Sequence, residues 1–223
     1  MGLAVADMLA GNALAQGILA ALVGRGIHGK GALVQTSLFE AMIDFQFEVL
    51  STHLNDGQRM PERSAVNGAH AYLGAPYGVY ETLDGHLALA MTPSLQTLAE
   101  LLGLKGLEKY YGDPSAMIKE RDAIKTVLAE QLATRVTADW LAVLQPADIW
   151  CSEVLDWAEM RASDAYKLLD LEQTITRNGT VRLDMLRSPL RINRATLKSG
   201  KAAPELGQDN DHVLAPLTPQ TAV

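Results

Sequence analysis

The stretch "VADMLAGNALAQGILAAL", residues 5–22, decides how the rest of the chain is interpreted. Leu14, Ile18 and Leu22 follow one another at intervals of four, the spacing that places side chains on one side of an α-helix. A second row consists of small residues: Ala10, Ala13, Gly17, Ala20 and Gly24. Apolar character on nearly every side predicts a helix over residues 6–25 that is buried inside protein. The small residues would let another backbone approach the helix closely.

Asp7 is the one acidic residue within this stretch, and it lies at the front edge of the predicted helix. Its commonest role there is structural, because a helix N-cap or first-turn acid interacts favourably with free amides and with the positive end of the helix dipole. The functional alternative is a carboxylate that is kept ionised by those same groups, which suits a nucleophile or a base. Taken alone, the sequence favours the capping role.

Two targeting interpretations of the first helix are disfavoured. A signal peptide has positive charge before its apolar run, whereas the first basic residue here is Arg25. A membrane-spanning helix needs about 20 strongly apolar residues, and this run is diluted by Asn12, Gln16 and glycines. We therefore expect no membrane partner.

Composition restricts the class of protein further. The chain has 223 residues, 48% of them hydrophobic, which is enough for one large domain or two small ones. Its net charge of −7 argues against nucleic acid as a partner, because the phosphate backbone selects basic surfaces. The single cysteine, Cys151, excludes an internal disulfide and fits a reducing cytoplasm, where we expect the protein to be located. We expect both Cys151 and Trp140 to lie in the core.

The first 55 residues predict part of an α/β layer. "LVQTSL", residues 33–38, indicates a short buried strand, and residues 39–54 indicate a second helix. The order helix, strand, helix is typical of α/β folds, and a lone strand needs pairing partners from elsewhere. From residue 56 to residue 76 the chain becomes polar and irregular, which predicts a linker.

The second half predicts a compact α+β domain. Two alternating apolar runs flank Asp84-Gly85 and two more flank Asn178-Gly179, so each pair predicts a hairpin. Helical patterns cover residues 94–102, 115–135 and 138–144, and "SPLRIN" at 188–193 indicates a further strand. We expect the tail to fray after Leu214.

Three further motifs are explained without a functional site. "GRGIHGKG", residues 24–31, lacks the final Ser or Thr of a phosphate-binding loop and runs from a helix to a strand, so a helix C-cap and turn are favoured. The three arginines between Arg187 and Arg194 favour a solvated face, with an anion contact as the alternative. The histidines show no metal-ligand spacing, and we expect no metal. They are His28, His53, His70, His86 and His212.

Four stretches together carry a resemblance to a known family. The first runs through Ala6-Asp7, Gly11, Gly17 to Leu22, Arg25, Gly29-Lys30-Gly31, Ser37-Leu38 and Glu40-Ala41. The second runs through Ala75-Pro76-Tyr77-Gly78, Tyr80, Thr82, Asp84-Gly85 and Leu87 to Ala90. The others are Trp140 to Leu144, and Ala203-Pro204 with Leu206-Gly207 and Val213-Leu214. In this order they resemble the class III CoA-transferase family, the group of formyl-CoA transferase, carnitine CoA-transferase and α-methylacyl-CoA racemase.

The resemblance implies a fold and a domain organisation. The fold is α/β, the C-terminal portion of a class III CoA-transferase. Residues 1–55 would be a remnant of the Rossmann-like large domain and residues 56–76 a linker. Residues 77–186 would form the small α+β domain, and residues 187–223 the return linker and tail. On this interpretation the chain is a fragment that lacks the N-terminal part of the large domain.

The resemblance also implies a chemistry, with Asp7 as the catalytic carboxylate. It would attack the thioester of an acyl-CoA, and coenzyme A would pass through an aspartyl intermediate to a second carboxylic acid. The substrates are a coenzyme A thioester and a carboxylic acid, without a metal, and the family forms homodimers of interlocked chains. Two alternatives stay open: an acyl-CoA racemase or isomerase, in which Asp7 is a base, and a non-catalytic remnant or subunit.

Two departures from the family pattern affect these expectations. Some family transferases carry a run of glycines in the linker that covers the intermediate, whereas residues 64–78 have only scattered glycines. The tail has Gln208-Asp209 where the family usually has Glu-His. The histidine that racemase members pair with the aspartate would lie in the missing part, so the sequence leaves transferase and racemase undecided.

Overall fold

A computed structural model describes residues 2–68, 70–92, 94–177 and 179–214. The chain divides into two compact units, residues 1–154 and residues 155–223. The predicted fraying beyond Leu214 lies outside the described residues.

The first helix, α1, spans Val5–His28 and ends three residues later than predicted. Gly29 follows it in the left-handed conformation with φ 70°, and its amide donates to the Arg25 carbonyl at 2.8 Å. This is the geometry of a helix C-cap, in which glycine avoids the steric cost of positive φ. The structure therefore confirms the C-cap and turn at "GRGIHGKG".

The expectation that α1 is a buried helix is wrong for this chain, because none of its residues is buried. One side packs closely: a Cβ added to Gly17 would lie 2.7 Å from Cγ1 of Val34, so the small residue does admit a close neighbour. Elsewhere large side chains are exposed, including Leu19 at 63% and Ile27 at 70%. By length and composition α1 could also cross a membrane, a test that core helices of soluble proteins pass equally.

The strand predicted at residues 33–38 is absent, and a helix begins inside that stretch. Ser37 caps α2, Leu38–Phe45, with its Oγ accepting from the Glu40 amide at 3.1 Å and donating to the Glu40 carboxylate at 2.6 Å. This N-cap outweighs the apolar run, which has no strand beside it among the described residues before Gly78. The helix predicted over 39–54 is likewise two helices, because the chain bends at Gln46 before α3, Phe47–Asn55.

A three-stranded antiparallel sheet begins at Gly78. It contains β1, Gly78–Glu81, β2, His86–Leu89, and β3, Cys151–Glu153, in the order β1-β2-β3. Tyr80 pairs with Leu87, and both side chains are fully buried on the same face. The hairpin predicted around Asp84-Gly85 is confirmed.

Helices cover the buried face of this sheet. They are α4, Leu95–Leu102, α5, Pro114–Lys119, α6, Arg121–Leu132, and α7, Thr137–Leu144. Trp140 is fully buried among them and its indole Nε1 donates to the Leu132 carbonyl at 2.8 Å, so its predicted core position is confirmed. Cys151 is only partly buried against this core, and burial raises the pKa of its thiol. The helix predicted over 115–135 is two helices that meet at Glu120.

In the second unit, the described residues form two short helices, two hairpins and a final helical turn. Its elements are α8, Trp157–Ala162, α9, Asp164–Leu169, β4, Glu172–Arg177, β5, Val181–Leu186, β6, Arg191–Ile192, β7, Ala195–Thr196, and α10, Asn210–Leu214. Strands β4 and β5 pair antiparallel, which confirms the second predicted hairpin, although Asn178 of its turn lies outside the described residues. Of "SPLRIN" only Arg191 and Ile192 form a strand.

Arg187 corrects the expectation of a solvated arginine face. Its side chain is 4% exposed, and its guanidinium donates to the carbonyl oxygens of Asp170, Leu169 and Ser188. Five guanidinium N–H donors in a planar fork suit the collection of several carbonyl groups. Arg187 therefore holds the α9–β4 turn to the end of β5.

Candidate active site

Asp7 is the third residue of α1 and its side chain is exposed. The N-cap is Ala4, which makes no side-chain capping bond, so the expectation that Asp7 itself caps the helix is wrong. Its position in the first turn still places the carboxylate at the positive end of the helix dipole. The favourable interaction between an acid and a helix N-terminus is therefore present without a capping bond.

Backbone amides near Asp7 are not used by the helix itself. The first bond of the helical series runs from the Met8 amide to the Ala4 carbonyl at 3.2 Å, and the Val5 amide donates to Leu3 at 2.9 Å. The amides of Ala6 and Asp7 precede that series, as the first amides of any helix do. They are donors for negative charge that develops beside the carboxylate.

The described residues do not build an enclosed pocket around Asp7. No hydrogen bond or ion pair within them joins its carboxylate to another group. A cavity of about 290 Å³ lies along α1, lined by Leu14, Ile18 and Arg25 and by residues 31–34. Leu14 is seven residues from Asp7, or about 10 Å along the helix axis. The structure thus shows a carboxylate at the start of a helix, and the described residues do not enclose it.

The histidines are dispersed among separate elements. His53 contacts the Arg59 carbonyl at 2.7 Å, and His70 Nε2 lies 3.5 Å from the Glu48 carboxylate. Within the part of the chain that the structure describes, no group of three His, Cys, Asp or Glu side chains is placed to hold a metal ion.

Asp84 and Lys125 have specific contacts that were not predicted from the sequence. Asp84 accepts hydrogen bonds from Thr137 at the start of α7, and Lys125 is buried at the side of α6. The sequence does indicate that Lys125 is buried, because this lysine lies at helical spacing from Leu128 and Leu132, in the apolar row of its helix. A lysine within such a row predicts a buried ammonium with specific partners.

Comparison with known proteins gives one family for almost the whole chain. The family described as CoA-transferase family III matches residues 1–210. An acyl-CoA transferase of Fusarium pseudograminearum is 29% identical over 153 residues, covering 66% of this chain and 32% of its own length. Succinyl-CoA:mesaconate CoA-transferase of Haloarcula hispanica is 24% identical over 96% of this chain and 54% of its own. Acetyl-CoA:oxalate CoA-transferase of Acetobacter aceti is 25% identical over 81% and 44%.

Solved structures with the same fold are also found. A CAIB/BAIF family protein from Brucella suis has a TM-score of 0.72 and 26% identity over 98% of this chain and 56% of its own. Rv3272 of Mycobacterium tuberculosis has a TM-score of 0.76 and 20% identity over 94% and 55%. These likenesses confirm the predicted fold class. The chain spans about half the length, or less, of the curated relatives described above.

Proposed function

We propose that this chain, which belongs to CoA-transferase family III, carries the nucleophile of an enzyme. That enzyme moves coenzyme A from an acyl-CoA thioester to a carboxylic acid. We assign that nucleophile to Asp7. The observation that carries the assignment is the position of its carboxylate in the first turn of α1, beside the amides of Ala6 and Asp7.

The proposed reaction begins with attack by the ionised Asp7 oxygen on the thioester carbonyl carbon. The C–S bond breaks, its electron pair leaves on sulfur, and a mixed anhydride joins the acyl group to Asp7. The coenzyme A thiolate then attacks the Asp7 carbonyl carbon, which forms an aspartyl-CoA thioester and releases the first acid as a carboxylate. Two covalent steps thus replace one difficult exchange.

The second half reverses these steps with a different acid. Its carboxylate attacks the aspartyl thioester and expels the thiolate, and the thiolate attacks the acceptor's carbonyl carbon in the new anhydride. The products are a new acyl-CoA and free Asp7 carboxylate, and no proton is gained or lost overall. Each attack passes through an oxyanion, which the amides of Ala6 and Asp7 are placed to stabilise.

The anhydride must be protected from water, and one turn beyond Asp7 on α1 the residues Ala10 and Gly11 are small and carry no polar side chain. The described residues leave Asp7 exposed. We therefore propose that the enclosure is completed by a second copy in a homodimer or by further polypeptide. The division into large-domain residues 1–55, linker 56–76, small domain 77–186 and return segment 187–223, and a cytoplasmic location, belong to the same proposal.

The names of the relatives favour transfer over racemisation. Proteins similar to this chain include CoA-transferases for mesaconate, oxalate and glutarate. We therefore infer that short dicarboxylic acids are the first substrates to test, with succinyl-CoA as donor. Racemisation needs no second acid and exchanges the hydrogen at the carbon next to the thioester, so the two activities differ in an observable way.

The test uses the protein from the longest reading frame that contains these residues, incubated with succinyl-CoA and mesaconate, oxalate or glutarate. We expect a new acyl-CoA, and without acceptor a coenzyme A adduct on the protein that hydroxylamine removes. Asp7→Ala should lose both and lower transfer by at least about a thousandfold, as loss of a nucleophile does. The matched control is Asp44→Ala, which removes an exposed carboxylate from α2.

Each contrary outcome has a distinct meaning. Substantial transfer by Asp7→Ala refutes the assignment of the nucleophile. Deuterium uptake from solvent at the α-carbon, without an acceptor acid and without a new thioester, replaces the transferase with a racemase. Absence of both reactions across the acid panel, together with no binding of succinyl-CoA, identifies a non-catalytic subunit.

A further inference from the structure

Residues 62–68 and 70–72, called the strap, lie between α3 and β1 and are held by three side chains of α6. Arg121 donates to the carbonyl oxygens of Glu62 at 2.6 Å and Ala71 at 2.7 Å, near the two ends of the strap. Between them Asp122 accepts from the Val66 amide at 3.2 Å. All of these bonds link the strap to a single helix turn.

Lys125 provides the central contact. Its Nζ donates to Ser64 Oγ at 2.8 Å and to the Asn67 carbonyl at 3.3 Å, and the side chain is only 1% exposed. The charged groups around it are two cations, Arg121 and Arg63, and one anion, Asp122. Burial, followed by the charge of Arg121, lowers the pKa of Lys125. The hydrogen bonds to strap oxygens and the negative charge of Asp122 therefore compensate for burying this ammonium group.

Other features of the strap oppose its docked conformation. Asn67 Nδ2 and Tyr72 Oη are buried, and neither has a hydrogen-bond partner among the residues that the structure describes. Asn67 also has a positive φ of 46°, a conformation that asparagine adopts at a smaller cost than most residues other than glycine. Buried donors without acceptors cost the full free energy of their lost hydration.

Apolar packing adds little to hold the strap. None of its described residues belongs to the hydrophobic core, which reaches only as far back as Ala75. A cavity of about 790 Å³ lies beside it, lined by Glu62, Ala71 and Tyr72 of the strap and by residues of α3, α5 and α6. The strap is therefore held by polar contacts, most of them to α6 and one between His70 and Glu48 of α3, and it has open space on another side.

We propose that the strap is a two-state element, docked on α6 through Lys125 and released by local opening. The Lys125, Asp122 and Arg121 contacts favour the docked state, and the unpaired Asn67 and Tyr72 groups favour release. Because the strap joins α3 to β1, its release frees the connection between the helices that include α1 and the sheet. This inference goes beyond the proposed function and does not depend on coenzyme A chemistry.

Opposite substitutions test the proposal in the full chain. Hydrogen exchange of the strap amides reports the opening, and we expect trypsin to cut after Arg63 faster when the strap opens, because Ser64 on the other side of that bond is buried in the docked state. Lys125→Met should speed both at the strap by about tenfold or more, as expected for lost hydrogen bonds to a charged group. Tyr72→Phe should slow both, because it removes a buried hydroxyl without a partner. Lys105→Met, which removes an exposed lysine, is the matched control.

The outcomes separate a strap from an ordinary core position. Unchanged strap exchange in Lys125→Met overturns the proposal, and so does equal acceleration at the strap and at α6 residues 124–132. If Lys125→Met does not fold, Ser64→Ala removes one Nζ acceptor and should produce the same local acceleration. Faster strap opening in Tyr72→Phe would also contradict the two-state element.

Discussion

Asp84 shows at the level of one residue how a turn motif serves a distant element. Asp84-Gly85 predicts a hairpin turn, and that turn is present. Its carboxylate also accepts from the Thr137 amide at 2.8 Å and from Thr137 Oγ1 at 3.0 Å, at the first residue of α7. These bonds lower the pKa of Asp84. Pattern alone predicts the turn, but only the fold brings α7 to it, so the second role could not be predicted.

Asp84→Ala should lower the melting temperature at pH 7, because the amide at the start of α7 loses its acceptor. The folded pKa lies below the unfolded value, so this stabilisation is fully present above about pH 4 and is lost as the pH falls through the folded pKa. The difference in melting temperature between Asp84→Ala and the unmodified chain should therefore shrink towards zero below about pH 4. Thermal unfolding followed by circular dichroism across pH 3–8 measures it.

A matched variant makes this prediction specific. Asp44→Ala removes an exposed carboxylate for which the structure gives no such capping role, and it should change melting temperature little at any pH in that range. A difference that persists unchanged at low pH would show that the Asp84 side chain acts by packing and not as a charged acceptor.

At the scale of elements, the predictions that rest on caps and turns agree with the structure best. The C-cap at Gly29 and both hairpins are present as predicted, whereas Asp7 does not cap α1. The strand predicted at residues 33–38 was wrong because a short buried strand and the start of a helix can have the same composition. The two bends at Gln46 and Glu120 interrupt continuous helical patterns, and neither position holds the proline or glycine that marks a break.

Gly17 gives the prediction at this scale. In a helix interior, glycine to alanine stabilises by up to about 1 kcal/mol when the new methyl group meets open space. A Cβ at Gly11 meets nothing within 4 Å, whereas a Cβ at Gly17 lies 2.7 Å from the stiff Val34 side chain. Gly11→Ala should therefore raise the free energy of unfolding, and Gly17→Ala should fail to raise it or lower it. Urea unfolding measures both.

A double substitution checks the cause. Val34→Ala removes the atom that meets the new methyl group, so Gly17→Ala in that background should show the same gain as Gly11→Ala. If Gly17→Ala stabilises the unmodified chain as much as Gly11→Ala does, the small-residue row of α1 is not a packing requirement at this point.

At the scale of the whole molecule, the order of motifs along the chain predicts the family. The sequence does not predict which residues surround α1. Asp7 could be assigned a role through the family resemblance but not through its neighbours, since the described residues supply none to its carboxylate. Apolar periodicity states that a helix face is to be covered and does not state by what. The exposure of α1 and the incomplete site around Asp7 therefore have one cause: the sequence does not show what covers this helix.

That exposure predicts self-association of the 223-residue chain. Along α1, Leu19, Val23 and Ile27 are 63%, 64% and 70% exposed, and burying one such side chain contributes about 1.5–3 kcal/mol. Several of them on one helix favour association despite the net charge of −7. Light scattering should give a mass above that of one chain, and Leu19→Glu with Val23→Glu should lower it, because two carboxylates replace the apolar contact. Leu206→Glu, at a fully exposed leucine of the other unit, controls for added charge. A monodisperse monomer before any substitution would show that the apolar face of α1 alone does not drive association.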